Sequence, residues 1–165
     1  MSNTQKKLTG ANIIINDDTT SWLNSVSIEE DYEPSDKEEF MCDAQLKFFQ
    51  TKLLDWRKLL IIESDHTLES LKSTHMKEPD DADRATAESD TNIELRTRER
   101  YLKLITKIDK ALEQIENKSY GYCIETGEEI GIKRLEARPI ASLTVAAQEA
   151  RETKEKLMHE TDVES

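Results

Sequence analysis

Turns, staples and ring stacks are all scarce in this sequence. Four glycines and three prolines in 165 residues are too few for a sandwich or barrel, which must reverse direction at short intervals. The two cysteines, Cys42 and Cys123, form no Cys-x-x-Cys pair, which excludes a disulfide framework and fits a reducing compartment. Aromatics are 5% and apolar residues 36%, too lean for a compact globule and suited to long solvated helices with a narrow apolar seam. The longest aliphatic run is Leu59-Leu60-Ile61-Ile62, far short of a membrane span. The N-terminal stretch lacks the basic-then-apolar order of a signal peptide, so a soluble, cytoplasmic protein with no membrane partner is expected. The sequence has no Gly-rich phosphate loop and no nucleophile beside a base, and His66, His75 and His159 are scattered. Neither an enzyme nor a bound cofactor is expected.

Charge, by contrast, is abundant: 35% of residues are charged and the formal net charge is -12. That balance argues against direct DNA binding, which needs clustered Lys and Arg, and suits a basic partner surface or a cation. Apolar residues step by alternating threes and fours through Leu46, Phe49, Leu53, Trp56, Leu60, His66 or Thr67, and Leu71. Phe48, Leu59 and Ile62 widen this stripe. A second run comprises Thr91, Leu95, Leu102, Ile105, Ile108, Leu112 and Ile115. Such spacing marks one helical face packed on a partner.

Between the runs lies Glu78-Pro79-Asp80-Asp81-Ala82-Asp83-Arg84-Ala85. Pro79 should stop the incoming helix, and Asp80, Asp81 and Asp83 suit the start of the next, so this is the bend of a helical hairpin with an acidic tip. Residues Asp81-x-Asp83-x-Ala85 do not continue as a calcium loop. Ser35-Asp36-Lys37-Glu38 has the form of a capping box, placing the start of the first helix there. The second helix is expected over about 84–118, with Gly121 as its C-terminal cap. Arg96, Arg98, Arg100, Lys103 and Lys107 form the one basic stripe.

Beyond Gly121, two short apolar runs around Gly127 predict a small hairpin, Arg134 to Pro139 a turn, and Ser142 to His159 a final helix. The predicted fold class is all-α: a long antiparallel coiled-coil hairpin on a small globular base of a short β-hairpin plus a C-terminal helix. The organisation is a disordered or loosely docked tail over 1–34, the hairpin over 35–118 with its tip at 78–85, a lobe over 119–160 and a tail over 161–165.

Five motifs in order resemble the DksA/TraR family. They are Phe40-Met41-Cys42-Asp43-Ala44-Gln45-Leu46, Asp80-x-x-Asp83-Arg84-Ala85, Leu95-Arg96-x-Arg98-x-Arg100, Tyr120-Gly121-Tyr122-Cys123 and Arg134-Leu135-Glu136-Ala137-Arg138-Pro139. The resemblance covers about 36–160 and implies a transcription regulator that binds RNA polymerase rather than DNA. Its coiled coil would enter the secondary channel and alter open-complex stability at stable RNA and other promoters. It implies active-centre roles for Asp80, Asp83 and Ala85, rim contacts for Arg96 and Arg100, and a site for the alarmone ppGpp at Lys107, Arg138 and Gln148. Gln148 stands at a basic position of the family and brings hydrogen bonding without charge. Members typically hold a structural zinc with four cysteines; here those positions are Cys123, Thr126, Thr144 and Ala147, so no zinc is expected. The lobe would be held instead by Tyr122, Ile124, Ile130, Leu135 and Val145. A monomer is expected. The competing readings are a transcript-cleavage factor of the same channel and a structural coiled-coil adaptor with no polymerase role.

Overall fold

The computed structural model describes residues 22–29, 31–74 and 81–163, with side chains described except at 74, 81–85 and 159–163. A short 3-10 turn at Leu23–Ser25 precedes four helices: α1 Asp43–Thr74, α2 Asp81–Glu116, α3 Ile132–Ala137 and α4 Val145–Val163. Helices α1 and α2, of 32 and 36 residues, contain no glycine or proline to interrupt them and pack together. At about 1.5 Å per residue they make a stalk roughly 50 Å long. The all-α hairpin is therefore present; of the bend expected at 78–85, residues 78–80 lie outside the described residues and 81–85 belong to α2.

The first helix does not start at the expected capping box. The Ser35 carbonyl and hydroxyl accept from the amides of Glu38 and Lys37, closing a tight turn. The Glu38 carboxylate is taken by the Tyr32 hydroxyl at 2.6 Å and by Gln45 Nε2 at 3.2 Å. With both capping groups engaged elsewhere, the helix begins at Asp43, its first bond running from the Leu46 amide to the Cys42 carbonyl. Gln45, fully buried, clamps the entry by accepting from the Met41 amide and donating to the Ser35 carbonyl.

Gly121 is likewise not the cap of α2. Lys118 takes the left-handed conformation (φ 56), its amide reaching the Ile115 carbonyl while Ser119 donates to Gln114, the paired bonds of a Schellman motif. Gly121 (φ 91) serves a different purpose: a Cβ there would lie 2.7 Å from Met41 Cγ. The expected hairpin reduces to one antiparallel bridge, Tyr122 with Glu129. The Gly127 amide turns back onto the Cys123 carbonyl, and the chain then enters α3, leaving room for a single pair. Arg134 to Ala137, expected as a turn, belongs to α3.

The seam also differs in its outer half. On α1, Leu46, Leu53, Arg57, Leu60, Ser64 and Leu71 are buried; His66 is exposed, as are Leu59 and Ile62, which do not widen it. On α2, Ile105 and Ile108 continue outward through Tyr101, Arg98, Glu94 and Thr91, whereas Leu102 and Leu95 are 38% and 49% exposed. A strict three-four step from Ile105 lands on polar side chains, and the leucines sit one position off it. The main core lies at the base, where Leu23, Phe49, Leu53, Ile108, Ile115, Tyr120 and Leu135 are fully buried. Of the residues expected to hold the lobe, Ile130 and Leu135 are buried, Tyr122 stacks edge-on to Phe40 at 5.4 Å, and Ile124 and Val145 are 61% and 53% exposed. Their places are taken by Tyr120, Ile132, Leu143 and Ala147, because the Schellman turn swings Tyr120 back against Phe49.

Candidate functional site

Three groups of predicted residues fall at different heights on this frame. Asp80 lies outside the described residues, and α2 begins at Asp81, so Asp83 and Ala85 ride on its opening turns at the end of the stalk remote from the base. Arg96, Arg100, Lys103 and Lys107 follow at steps of four, three and four on one exposed face of α2. Arg98 leaves this stripe and turns into the seam, where its Nε and Glu94 Oε2 are buried without a hydrogen-bond partner among the described residues. Lys103, hydrogen-bonded to Glu99 at 2.7 Å, holds that carboxyl below its usual range.

The basic face runs into a cleft of about 580 Å³ between the base of α2, α3 and α4. Lys107, Arg138 and Gln148, far apart in the chain, all line it. So do Lys110, Arg134 and Arg151, which sequence reasoning missed. Helical spacing would have found two of them, since Lys110 and Arg151 each follow a singled-out residue by three. Three contacts build the wall. The Tyr120 hydroxyl donates to the Pro139 carbonyl at 2.7 Å, burial raising its phenol above the ordinary value; Arg134 Nε donates to the Leu143 carbonyl at 3.1 Å; and Lys52 donates to the Glu136 carbonyl at 2.8 Å. Gln148 Nε2 donates to Glu152 at 2.6 Å and Arg151 Nε to Glu155 at 3.1 Å. Glu152 and Glu155 line the cleft too, but the five cations Lys107, Lys110, Arg134, Arg138 and Arg151 outnumber them, and the net positive lining suits a compact polyanion.

Beside it, the backbone between Cys123 and Gly127 folds into a tight knuckle facing the N-terminus of α4. Burial pushes the Cys123 thiol up, but hydrogen bonds from the Thr126 hydroxyl and the amides of Thr144, Thr126 and Glu125 outweigh it and bring the group down to about 6. The Thr144 hydroxyl accepts from the Ala147 amide at 3.3 Å.

A family model for the N-terminal domain of the DnaK suppressor protein DksA matches residues 45–115, and one for the prokaryotic dksA/traR C4-type zinc finger matches 118–152. The "RNA polymerase-binding transcription factor DksA" of Caulobacter vibrioides is 51% identical over 127 residues, covering 77% of this chain and 89% of that protein. The chain belongs to the DksA family. Its relative of the same name in Escherichia coli K12 is 42% identical over 141 residues, 84% of this chain and 93% of that protein. The structure of the transcription factor DksA2 from Pseudomonas aeruginosa superposes with a TM-score of 0.67 at 38% identity, covering 75% of this chain and 94% of that one.

Zinc is the metal that the second family match implies. One thiol, two threonine hydroxyls and an alanine methyl, at the four positions where the resemblance implies ligands, do not fit it, because a closed tetrahedral site needs four soft or imidazole donors. Among the described residues no group of three or more His, Cys, Asp or Glu is placed to hold a metal ion.

Proposed function

We propose that this protein binds RNA polymerase directly and regulates transcription by presenting the tip of its stalk in the secondary channel. The observation that carries this is the architecture itself: two continuous helices carry Asp81 and Asp83, at the start of α2, far from a basic cleft, in a chain 51% identical over 127 residues to a polymerase-binding relative. Asp80, Asp83 and Ala85 act at the active centre, where carboxylates meet a cation or basic side chains. Arg96 and Arg100 engage the channel rim. The cleft of Lys107, Arg138 and Gln148 binds ppGpp at the polymerase interface. The net charge of -12 fits a protein that does not hold DNA itself. The regulator is not an enzyme, acts as a monomer in the cytoplasm, and its lobe folds without zinc.

In vitro transcription from a ribosomal RNA promoter, with and without the protein and the alarmone, tests the reading. Shortened open-complex lifetime is expected, deepened by ppGpp. Asp83→Asn should retain polymerase binding and lose the effect. No change in either condition overturns the proposal, and RNA cleavage in stalled complexes would replace it with a cleavage factor.

A further inference from the structure

The cleft contains one element that the family resemblance does not assign. Gln148, at the position of a basic family residue, is neutral, and its amide is drawn onto Glu152 at 2.6 Å. One turn further along α4 the Arg151 guanidinium lines the same cleft as Lys107 and Arg138. Its present partner, Glu155, is a solvent-exposed i,i+4 pair, with side chains 54% and 65% exposed. Pairs of that kind contribute little and exchange readily for a stronger anion. A phosphate group in the cleft offers Arg151 a bidentate, charge-assisted contact that the exposed glutamate does not match.

We infer that Arg151 supplies the third cation for the phosphates in this cleft, compensating for the neutral Gln148. The inference rests on the alarmone reading and sharpens it: the missing charge has moved three residues along one helix rather than vanished. Gln148 then lines the cleft without adding charge, its amide donating to Glu152, and Glu155 competes with the ligand for Arg151.

The test measures labelled ppGpp bound by the complex of the full-length protein with RNA polymerase, taken as the increment over polymerase alone. Arg151→Ala should weaken the increment about tenfold, as expected for one lost charge-assisted contact. Glu155→Gln should strengthen it severalfold by freeing the guanidinium, a gain that a merely structural Arg151 would not give. Gln148→Lys in the Arg151→Ala background should restore binding by returning the charge one turn away. If Lys107→Ala and Arg138→Ala weaken binding and Arg151→Ala does not, the inference falls and the alarmone site stands. If none of the three has an effect, the alarmone reading falls and takes the inference with it. Failure of Gln148→Lys to restore binding also overturns the compensation.

Discussion

Arg57 reaches across the stalk to donate from its Nε to Asp109 Oδ1 at 2.7 Å, and this ion pair stands where the seam changes character. Below it the two helices meet through Phe49, Leu53 and Ile115; above it Leu60, Leu71, Ile105 and Ile108 stay buried, but Ser64 and Ser70 on α1 and Arg98 and Glu94 on α2 join them in the seam. The Arg57 side chain is 11% exposed and that of Asp109 45%, so the two ends of the pair are unequal. Removing Asp109 strands a buried cation, whereas removing Arg57 leaves a carboxylate that water can reach. Asp109→Ala should therefore cost about 1–2 kcal/mol in urea unfolding, and Arg57→Leu, which adds an apolar seam residue, less than that. Equal losses from the two variants would show that the pair is already solvent-screened at both ends.

Gly121 is required by both its backbone and its neighbour. Gly121→Ala meets a penalty of about 1–2 kcal/mol for a side chain at positive φ, and its Cβ also collides with Met41. Met41→Ala removes the collision at a packing cost of its own, so Gly121→Ala made in the Met41→Ala background and compared with Met41→Ala alone should cost less in thermal unfolding than it does in wild type. A cost that vanishes there would place the whole of it in packing, and an undiminished one would place it in the backbone.

Tyr120→Phe removes a buried donor from the Pro139 carbonyl, the residue next to Arg138 in the cleft wall. A loss of about 1–2 kcal/mol is expected for the unsatisfied carbonyl. Because the aromatic ring stays, packing against Phe49 is kept. Weaker ppGpp binding should accompany the stability loss if Pro139 fixes the direction of Arg138. Stability lost with unchanged alarmone binding would confine the bond to a structural role.

Much of the hairpin was legible because period and chain breakers agree: Pro79 and the aspartates interrupt two runs whose apolar positions repeat at helical spacing. The same apolar signal misled where charge enters the seam. Leu95 and Leu102 outrank Glu94 and Arg98 on any hydropathy reading, yet register from Ile105 selects the polar pair. Ser35 and Glu38 make a convincing cap until Tyr32 and Gln45 take the carboxylate, a tertiary competition that local spacing does not carry. Lys107, Arg138 and Gln148 were singled out by resemblance alone, and their meeting in one cleft depends on how α3 and α4 fold back on α2. Arg151 escaped notice because the resemblance assigns it no role, although it stands one helical turn beyond Gln148.

The ionisation of Cys123 predicts a pH dependence with a definite sign. The thiol falls from an ordinary value of 9.0 to about 6 in the fold, so its folded-state pKa is depressed. A depressed acid contributes stability that is complete above the unfolded value and lost as pH falls through the folded one. The difference in unfolding free energy between wild type and Cys123→Ser should thus grow from about pH 6 to about pH 9. A flat difference over that window would mean the thiol remains protonated in the fold.

The knuckle that holds this thiol also predicts what happens when the missing ligands are supplied. Thr126 and Thr144 already bring donors to the Cys123 sulfur, and Ala147 lies two residues into α4, bonded through its amide to Thr144. The backbone therefore gathers four positions while the side chains offer a single thiol. Purified wild type should carry well under one equivalent of zinc, with its unfolding temperature unaffected by chelators. The triple variant Thr126→Cys, Thr144→Cys, Ala147→Cys should bind one equivalent and gain a chelator-sensitive rise in unfolding temperature, since binding free energy at a structural site is folding free energy. Tightly held zinc in wild type would refute the zinc-free lobe. A triple variant that folds but ignores zinc would show that the four positions have drifted out of tetrahedral reach. Success would mean that hydrogen bonds to one thiolate maintain the geometry that four metal bonds impose, with the neighbouring Arg138 and α4 left in place around the cleft.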